Sequence, residues 1–185
     1  MLVALASSGR ARLAGTVYSV SLATMFGVSA LYHVPTWSPG VRQWLRRLDH
    51  ASIFLFIAGS YTPFCLLALR QGEVLLGLAW LGAGLGILQA LFWIGAPRVL
   101  SASIYLALGW MVVPYLSTLT RAIGGSGVAL VGAGGVCFTV GAVIYTMRRP
   151  DPLPATFGYH EIFHALVIAG CVLQGCVVAR LIMQP

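Results

Sequence analysis

Six apolar runs of about 20 residues constrain this chain most, because a run of that length crosses the hydrocarbon core of a bilayer as one helix. The runs cover Leu13–His33, Asp49–Leu69, Val74–Ile94, Val99–Thr120, Val128–Met147 and Phe157–Met183. Segments that contain Pro, Gly or Arg separate them. In lipid a backbone must satisfy its hydrogen bonds internally, which an isolated apolar run does as an α-helix. The sequence therefore predicts an all-α, polytopic membrane helical bundle with six full spans.

The low content of charged residues excludes a soluble fold. Only 8% of the 185 residues are charged, against roughly 25% in a soluble domain. The chain therefore cannot cover a globular surface with polar groups. We find no strand pattern, linker or clear internal repeat, so residues 1–185 are predicted to form a single transmembrane domain.

The net charge of +7 indicates membrane anchoring and no nucleic-acid partner. The basic residues are all arginines and stand singly or in pairs at the ends of apolar runs, whereas a nucleic-acid surface has a clustered basic stripe. If consecutive spans alternate in direction, one side of the membrane carries Arg42, Arg46, Arg47, Arg98, Arg148 and Arg149. The other side carries Arg10, Arg12, Arg70, Arg121 and Arg180. The excess on the first side slightly favours that side as cytoplasmic.

Two further patterns are assigned to helix packing. The four cysteines, Cys65, Cys137, Cys171 and Cys176, lie inside apolar runs without CxxC spacing, which is typical of small buried residues and not of a disulfide framework. The glycine-rich stretch Gly82–Gly86 follows no strand and lies within a span. Close packing of helices is therefore favoured there over nucleotide binding.

The last apolar run carries the most unusual polar pattern, His160 and His164. Residues four apart share one face of a helix. Polar side chains inside a membrane span are costly and usually face a cavity, a partner or a metal. The histidine pair therefore marks a candidate site.

Alternating span directions bring further polar residues to the same side of the membrane as this pair. His33 ends the first run, Asp49 and His50 begin the second, and Ser29 shares a helix face with His33. Three histidines with an open fourth position form a catalytic zinc pattern. We therefore predict that His33, His160 and His164 bind zinc, with Asp49 as a nearby carboxylate or general base. The alternative is that each histidine bonds a backbone carbonyl. His50, on another face, is predicted to point toward the loop.

The pentad His160-Glu161-Ile162-Phe163-His164 also matches H-E-x-x-H, in which the glutamate of a zinc protease is the general base. No His, Asp or Glu follows His164, so a third ligand must come from upstream in the sequence. Glu161 is also turned by about 100° from His160 around the helix. The protease interpretation is therefore disfavoured.

Four ordered blocks resemble the signatures of the haemolysin III family, the bacterial branch of the progestin and adipoQ receptors, which include the adiponectin receptors. The blocks are Ser29–His33, Leu48–Ile53, Ala58–Phe64 and Phe157–His164. The resemblance implies a seven-helix fold with a cytoplasmic N-terminus in the plasma membrane. It also implies zinc on His33, His160 and His164, with Asp49 near zinc-bound water and Ser29 one turn before the first ligand.

The chain departs from that pattern at its beginning, where the family's first span is missing or is reduced to Met1–Ser8. Two functions follow from the resemblance. One is a zinc-dependent, ceramidase-like hydrolase of lipid amides or esters, with Asp49 and Ser29 as catalytic residues and membrane lipid as the partner. The other is a pore-forming haemolysin or a sensor of membrane state, in which zinc is structural.

Overall fold

The computed structural model describes residues 6–93 and 95–184, which form α-helices and one 3₁₀ helix without any strand. The α-helices are α1 (Gly9–His33), α2 (Pro39–Leu67), α3 (Glu73–Phe92), α4 (Arg98–Gly109), α5 (Leu116–Met147) and α6 (Tyr159–Met183), and the 3₁₀ helix covers Trp110–Tyr115. The predicted all-α membrane bundle is confirmed. The suggested remnant of a first span at residues 1–8 lies largely outside the described residues, as does Ile94, the predicted end of the third span.

The described residues contain five helical stretches long and apolar enough to cross a membrane, one fewer than predicted. The difference arises because the predicted fourth and fifth spans form one continuous stretch, Arg98–Met147. A straight helix of that length would measure about 75 Å, far more than one bilayer. Gly124 breaks the helical course with a φ of 74°, a left-handed conformation that suits glycine.

The chain folds back on itself at this break. The indole Nε1 of Trp110 donates a hydrogen bond of 3.0 Å to the hydroxyl of Thr139, and the guanidinium of Arg98 lies over the ring of Tyr145. These contacts join residues on opposite sides of Gly124. The stretch is therefore a hairpin whose two arms correspond to the predicted fourth and fifth spans.

A second difference concerns the segment between the first two predicted spans. Residues 39–48 were expected in a loop but form the first turns of α2. Pro39 and Gly40 occupy the first helical positions, where the missing N–H of proline costs nothing. The residues that follow include several good helix formers, so the helix extends beyond the apolar run.

The chain divides into two compact units, of which the first contains α1 to α3 and the residues from Leu181 onward. In this unit α2 packs against both α1 and α3. All residues from Ala58 to Cys65 are buried, so α2 is the central helix. The side chain of Ile182 fills the space beside Gly15 of α1.

Glycines allow the close approach of these helices. A Cβ atom added to Gly59 of α2 would overlap the side chain of Ser21 of α1. A Cβ added to Gly86 of α3 would overlap the ring of Phe54, which is fully buried in α2. Gly86 thus serves helix packing, as predicted for this stretch.

The second unit, Pro97–Arg180, contains α4, the 3₁₀ helix, α5 and most of α6. Small residues again set the distance between helices. A Cβ on Gly134 of α5 would lie 3.2 Å from the carbonyl oxygen of Gly170 of α6, and a Cβ on Gly170 would overlap the ring of Phe138. This close contact aligns α6 along the second arm of the hairpin.

Replacing Gly86 by alanine is expected to destabilise the first unit, because the new methyl group displaces the Phe54 ring or α3 itself. Overpacking of this kind costs about 1–3 kcal/mol. Gly84→Ala is the matched control on the same helix, since no atom lies within 4 Å of its added Cβ. The free energy of unfolding of that variant should equal that of the parent or exceed it by up to about 1 kcal/mol, because alanine has a higher helix propensity than glycine. Unfolding in detergent measures both, and equal stabilities would contradict the packing role of Gly86.

Candidate metal centre

The first two turns of α6 present His160 and His164 as a close pair. Their Nε2 atoms are 3.1 Å apart and their rings meet edge to face, with centroids separated by 4.6 Å. Two Zn–N bonds of about 2.0–2.1 Å at a tetrahedral angle hold their nitrogens about 3.3–3.4 Å apart. This separation is that of a hydrogen bond between the two rings, and it is only slightly shorter than the separation that two ligands of one ion require. Both side chains are half-buried.

Aromatic rings from α5 and α6 enclose the pair. The ring of Tyr145 lies 5.8 Å from that of His160, and the ring of Phe163 lies 5.3 Å from that of His164. Tyr145 and Phe163 also contact each other, with a centroid distance of 5.1 Å. These rings hold the imidazoles in place and reduce the local polarity, which strengthens electrostatic interactions at the pair.

Arg98, at the start of α4, brings a positive charge to this aromatic cluster. Its guanidinium lies 5.5 Å from the centroid of Tyr145 and acts electrostatically on His160. Its Nη1 atom is buried and has no hydrogen-bond partner among the described residues. A metal ion at the pair would add to this charge, and a nearby anionic group would offset part of it. In the sequence Arg98 resembles the other arginines at the ends of apolar runs, and no pattern connects it with Tyr145.

Two carboxylates stabilise the start of α6. Glu161 accepts a hydrogen bond of 2.9 Å from the backbone N–H of Gly158, and Asp151 accepts one of 3.0 Å from the backbone N–H of Tyr159. Negative charge is favourable there because of unpaired N–H groups and the helix dipole. Glu161 is therefore exposed as a helix cap, a role different from that of a protease general base. Asp151 could not be recognised from the sequence as a group that bonds the helix start, because it stands eight residues before Tyr159 and only the course of the loop brings it there.

In the first unit the structure brings Ser29 and Asp49 together. The hydroxyl of Ser29 on α1 donates a hydrogen bond to the carboxylate of Asp49 on α2. Both residues are half-buried, and the hydroxyl of Ser52 bonds the backbone carbonyl of Asp49. The alternating direction of the spans predicts that both residues lie on the same side of the membrane. Their hydrogen bond depends in addition on the packing of α1 against α2.

His33 is the last residue of α1, and its exposed ring lies against that of Tyr32, with a centroid distance of 4.5 Å. Ser29 lies one turn earlier on the same face of α1, so His33 borders the Ser29–Asp49 pair. His33 belongs to the first unit and the histidine pair to the second. The convergence of all three histidines on one ion stays a prediction.

The chain has clear relatives. The model of the haemolysin-III related family matches residues 1–175. The protein Hemolysin-3 of Bacillus cereus is 34% identical over 164 residues, which are 88% of this chain and 72% of that protein. A Hemolysin-3 homolog of Bacillus subtilis (strain 168) is 32% identical over 170 residues, which are 88% of this chain and 76% of that protein.

Proposed function

The chain belongs to the haemolysin-III related family, and we propose that it holds zinc on His33, His160 and His164 and hydrolyses amide or ester bonds of membrane lipids. The separation of 3.1 Å between the Nε2 atoms of His160 and His164 carries this proposal, because it suits two ligands of one ion. Zinc is favoured because imidazole is one of its usual ligands and because three histidines leave a fourth position open.

The third ligand in this proposal is His33, because no further His, Asp or Glu follows His164 in the sequence. His33 ends α1 on the face that carries Ser29, whose hydroxyl bonds the carboxylate of Asp49. His33 therefore lies close to the carboxylate of Asp49. Three neutral imidazoles leave the double charge of the ion unbalanced, and Arg98 adds to it. Asp49 supplies a negative charge that offsets part of this excess.

Zinc, when bound, polarises a carbonyl and lowers the pKa of a water molecule. Asp49 is the general base that accepts a proton from the attacking water. The hydrogen bond from Ser29 orients the carboxylate of Asp49. Once Asp49 has taken up the proton, the single hydrogen of the Ser29 hydroxyl is free to be donated to the oxyanion of the substrate instead. Tyr145 and Phe163 exclude water from the side of the histidine pair that they cover. Ceramides and phospholipids, whose carbonyl groups lie near the membrane surface, are the proposed substrates.

The zinc site can be tested by metal content. Purified protein is expected to contain equimolar zinc. Mutating a residue that only supports a metal ligand weakens metal binding by roughly 10–100-fold. His33→Ala removes a ligand itself and should therefore weaken zinc binding by more than this. His50→Ala is the matched control, because His50 lies beside Asp49 in α2 but is not a proposed ligand. Metal analysis after dialysis against a chelator distinguishes the two variants. Equal zinc retention in both would exclude His33 as a ligand.

Hydrolysis can be separated from metal binding at Asp49. Asp49→Asn keeps the size of the side chain and one oxygen that can accept the hydrogen bond from Ser29, but removes the base. We therefore expect turnover of ceramide or phospholipid to fall by about 10²–10⁴-fold with zinc retained. Glu73→Gln is the matched control, since Glu73 is an exposed carboxylate at the start of α3, outside the proposed site, and its replacement should leave turnover nearly unchanged. Mass spectrometry of released fatty acid measures both. An Asp49→Asn variant as active as the parent would contradict the hydrolase.

A cytolytic pore is the second candidate, and the name Hemolysin-3 of the Bacillus cereus relative favours it. In that case the histidine pair has a structural role and the protein permeabilises membranes without hydrolysis. Leakage of dye from reconstituted liposomes should then occur with the parent protein and persist in His160→Ala. If liposomes containing the parent protein do not leak, the pore is excluded. Leakage that disappears in His160→Ala together with lipid hydrolysis would point to bilayer damage by the enzyme.

A further inference from the structure

Helix α2 is longer than the membrane requires. Its 29 residues extend over about 43 Å, whereas the hydrocarbon core is about 30 Å thick. The apolar part of the helix begins near Asp49, so the first turns lie beyond the hydrocarbon, among the lipid headgroups. We call residues 37–48, which comprise these turns and the two residues before them, the basic extension.

The basic extension combines positive charge with exposed apolar side chains. It contains three arginines and no acidic residue. These are Arg42, Arg46 and Arg47. Trp44 is 59% exposed, and Val41 and Leu48 are each 44% exposed. Tryptophan and arginine together are typical of a helix segment at the interface between membrane and water.

Aromatic contacts hold two of the three arginines in fixed positions. The guanidinium of Arg47 lies 4.7 Å from the ring centroid of Trp44, and that of Arg42 lies 5.3 Å from that of Tyr32. The Nε atom of Arg47 is buried and has no hydrogen-bond partner among the described residues.

The corner before α2 is also ordered. The indole of Trp37 donates a hydrogen bond of 2.6 Å to the backbone carbonyl of Leu31 near the end of α1. Asp49, the next acidic residue along the chain, is already bonded by Ser29. The basic extension therefore presents guanidinium groups on a rigid support, without a carboxylate in its own sequence to neutralise them.

We propose that the basic extension binds the headgroups of anionic phospholipids in the leaflet on its side of the membrane. A guanidinium matches the geometry of a phosphate, with which it forms paired hydrogen bonds. The exposed side chains of Val41, Trp44 and Leu48 favour lipid over a soluble polyanion, because they gain apolar contact only at a membrane. The selected lipid therefore lies beside the end of α1 that carries His33.

The lipid preference of the full chain tests this inference. Native mass spectrometry of the protein with phosphatidylglycerol and with phosphatidylcholine gives the ratio of the two affinities. The triple variant Arg42→Gln, Arg46→Gln, Arg47→Gln should lose most of the preference for phosphatidylglycerol. The expected loss is about fivefold for each arginine, which corresponds to about 1 kcal/mol per basic residue near a membrane surface. A preference equal to that of the parent would overturn the proposal.

A matched variant controls for net charge. Arg10→Gln, Arg12→Gln, Arg121→Gln removes the same charge from three exposed arginines outside the basic extension. This control should keep the preference for phosphatidylglycerol. If it loses as much as the first triple variant, the preference reflects total charge, and the basic extension is not the site.

A measurement on the unmodified protein covers the case in which the triple variant does not fold. Photoactivatable phosphatidylglycerol in a phosphatidylcholine bilayer should crosslink mainly to peptides from residues 37–48. Crosslinks spread evenly over all helix ends would overturn the proposal, as would equal labelling of this segment by photoactivatable phosphatidylcholine. Competition with millimolar inorganic phosphate separates headgroup chemistry from lipid binding. Labelling that persists supports a lipid, whereas its complete loss would show an anion site without lipid selectivity.

Discussion

The hydrocarbon core of a membrane offers a peptide group no hydrogen-bond partner, so the backbone of this chain has to form its hydrogen bonds internally. Every apolar run forms helix over most of its length. Within residues 6–93 and 95–184, irregular backbone is confined to the two ends, the segments between helices and the break at Gly124. Because apolar side chains gain little from leaving lipid for a protein interior, close contact at small residues has to hold the helices together. Gly59, Gly86 and Gly134 provide it.

The same constraint places the chemistry at the ends of the helices. Ionisable side chains are least costly near the membrane surface, and His33, Asp49 and His160 all lie within or next to the first or last turns of an apolar run. The two carboxylates at the start of α6 stabilise that helix end, which positions the first of its histidines. The basic extension of α2 adds positive charge close to the end of α1.

Much of the fold and part of the site could be predicted from the sequence. A spacing of four residues is enough to pair His160 with His164, because both lie on one helix and the helix repeat fixes their relation. The apolar runs similarly predict the helices, except that residues 39–48 lie outside the predicted second span but belong to α2. That error followed from equating the helix with its apolar part, although arginine, leucine and glutamine continue a helix readily in water. The contact of Arg98 with Tyr145 was missed, since these residues are far apart in sequence and share no motif.

The sequence by itself determined that this chain is a helical membrane protein, since apolar length and low charge leave no other fold that satisfies the backbone in lipid. It also determined the histidine pair, which depends only on local helix geometry. Tertiary structure alone decided the hydrogen bond between Ser29 and Asp49 and the aromatic enclosure of His160. These features depend on how one helix packs against another. Such packing is set by the shapes of many side chains together, which no local pattern encodes.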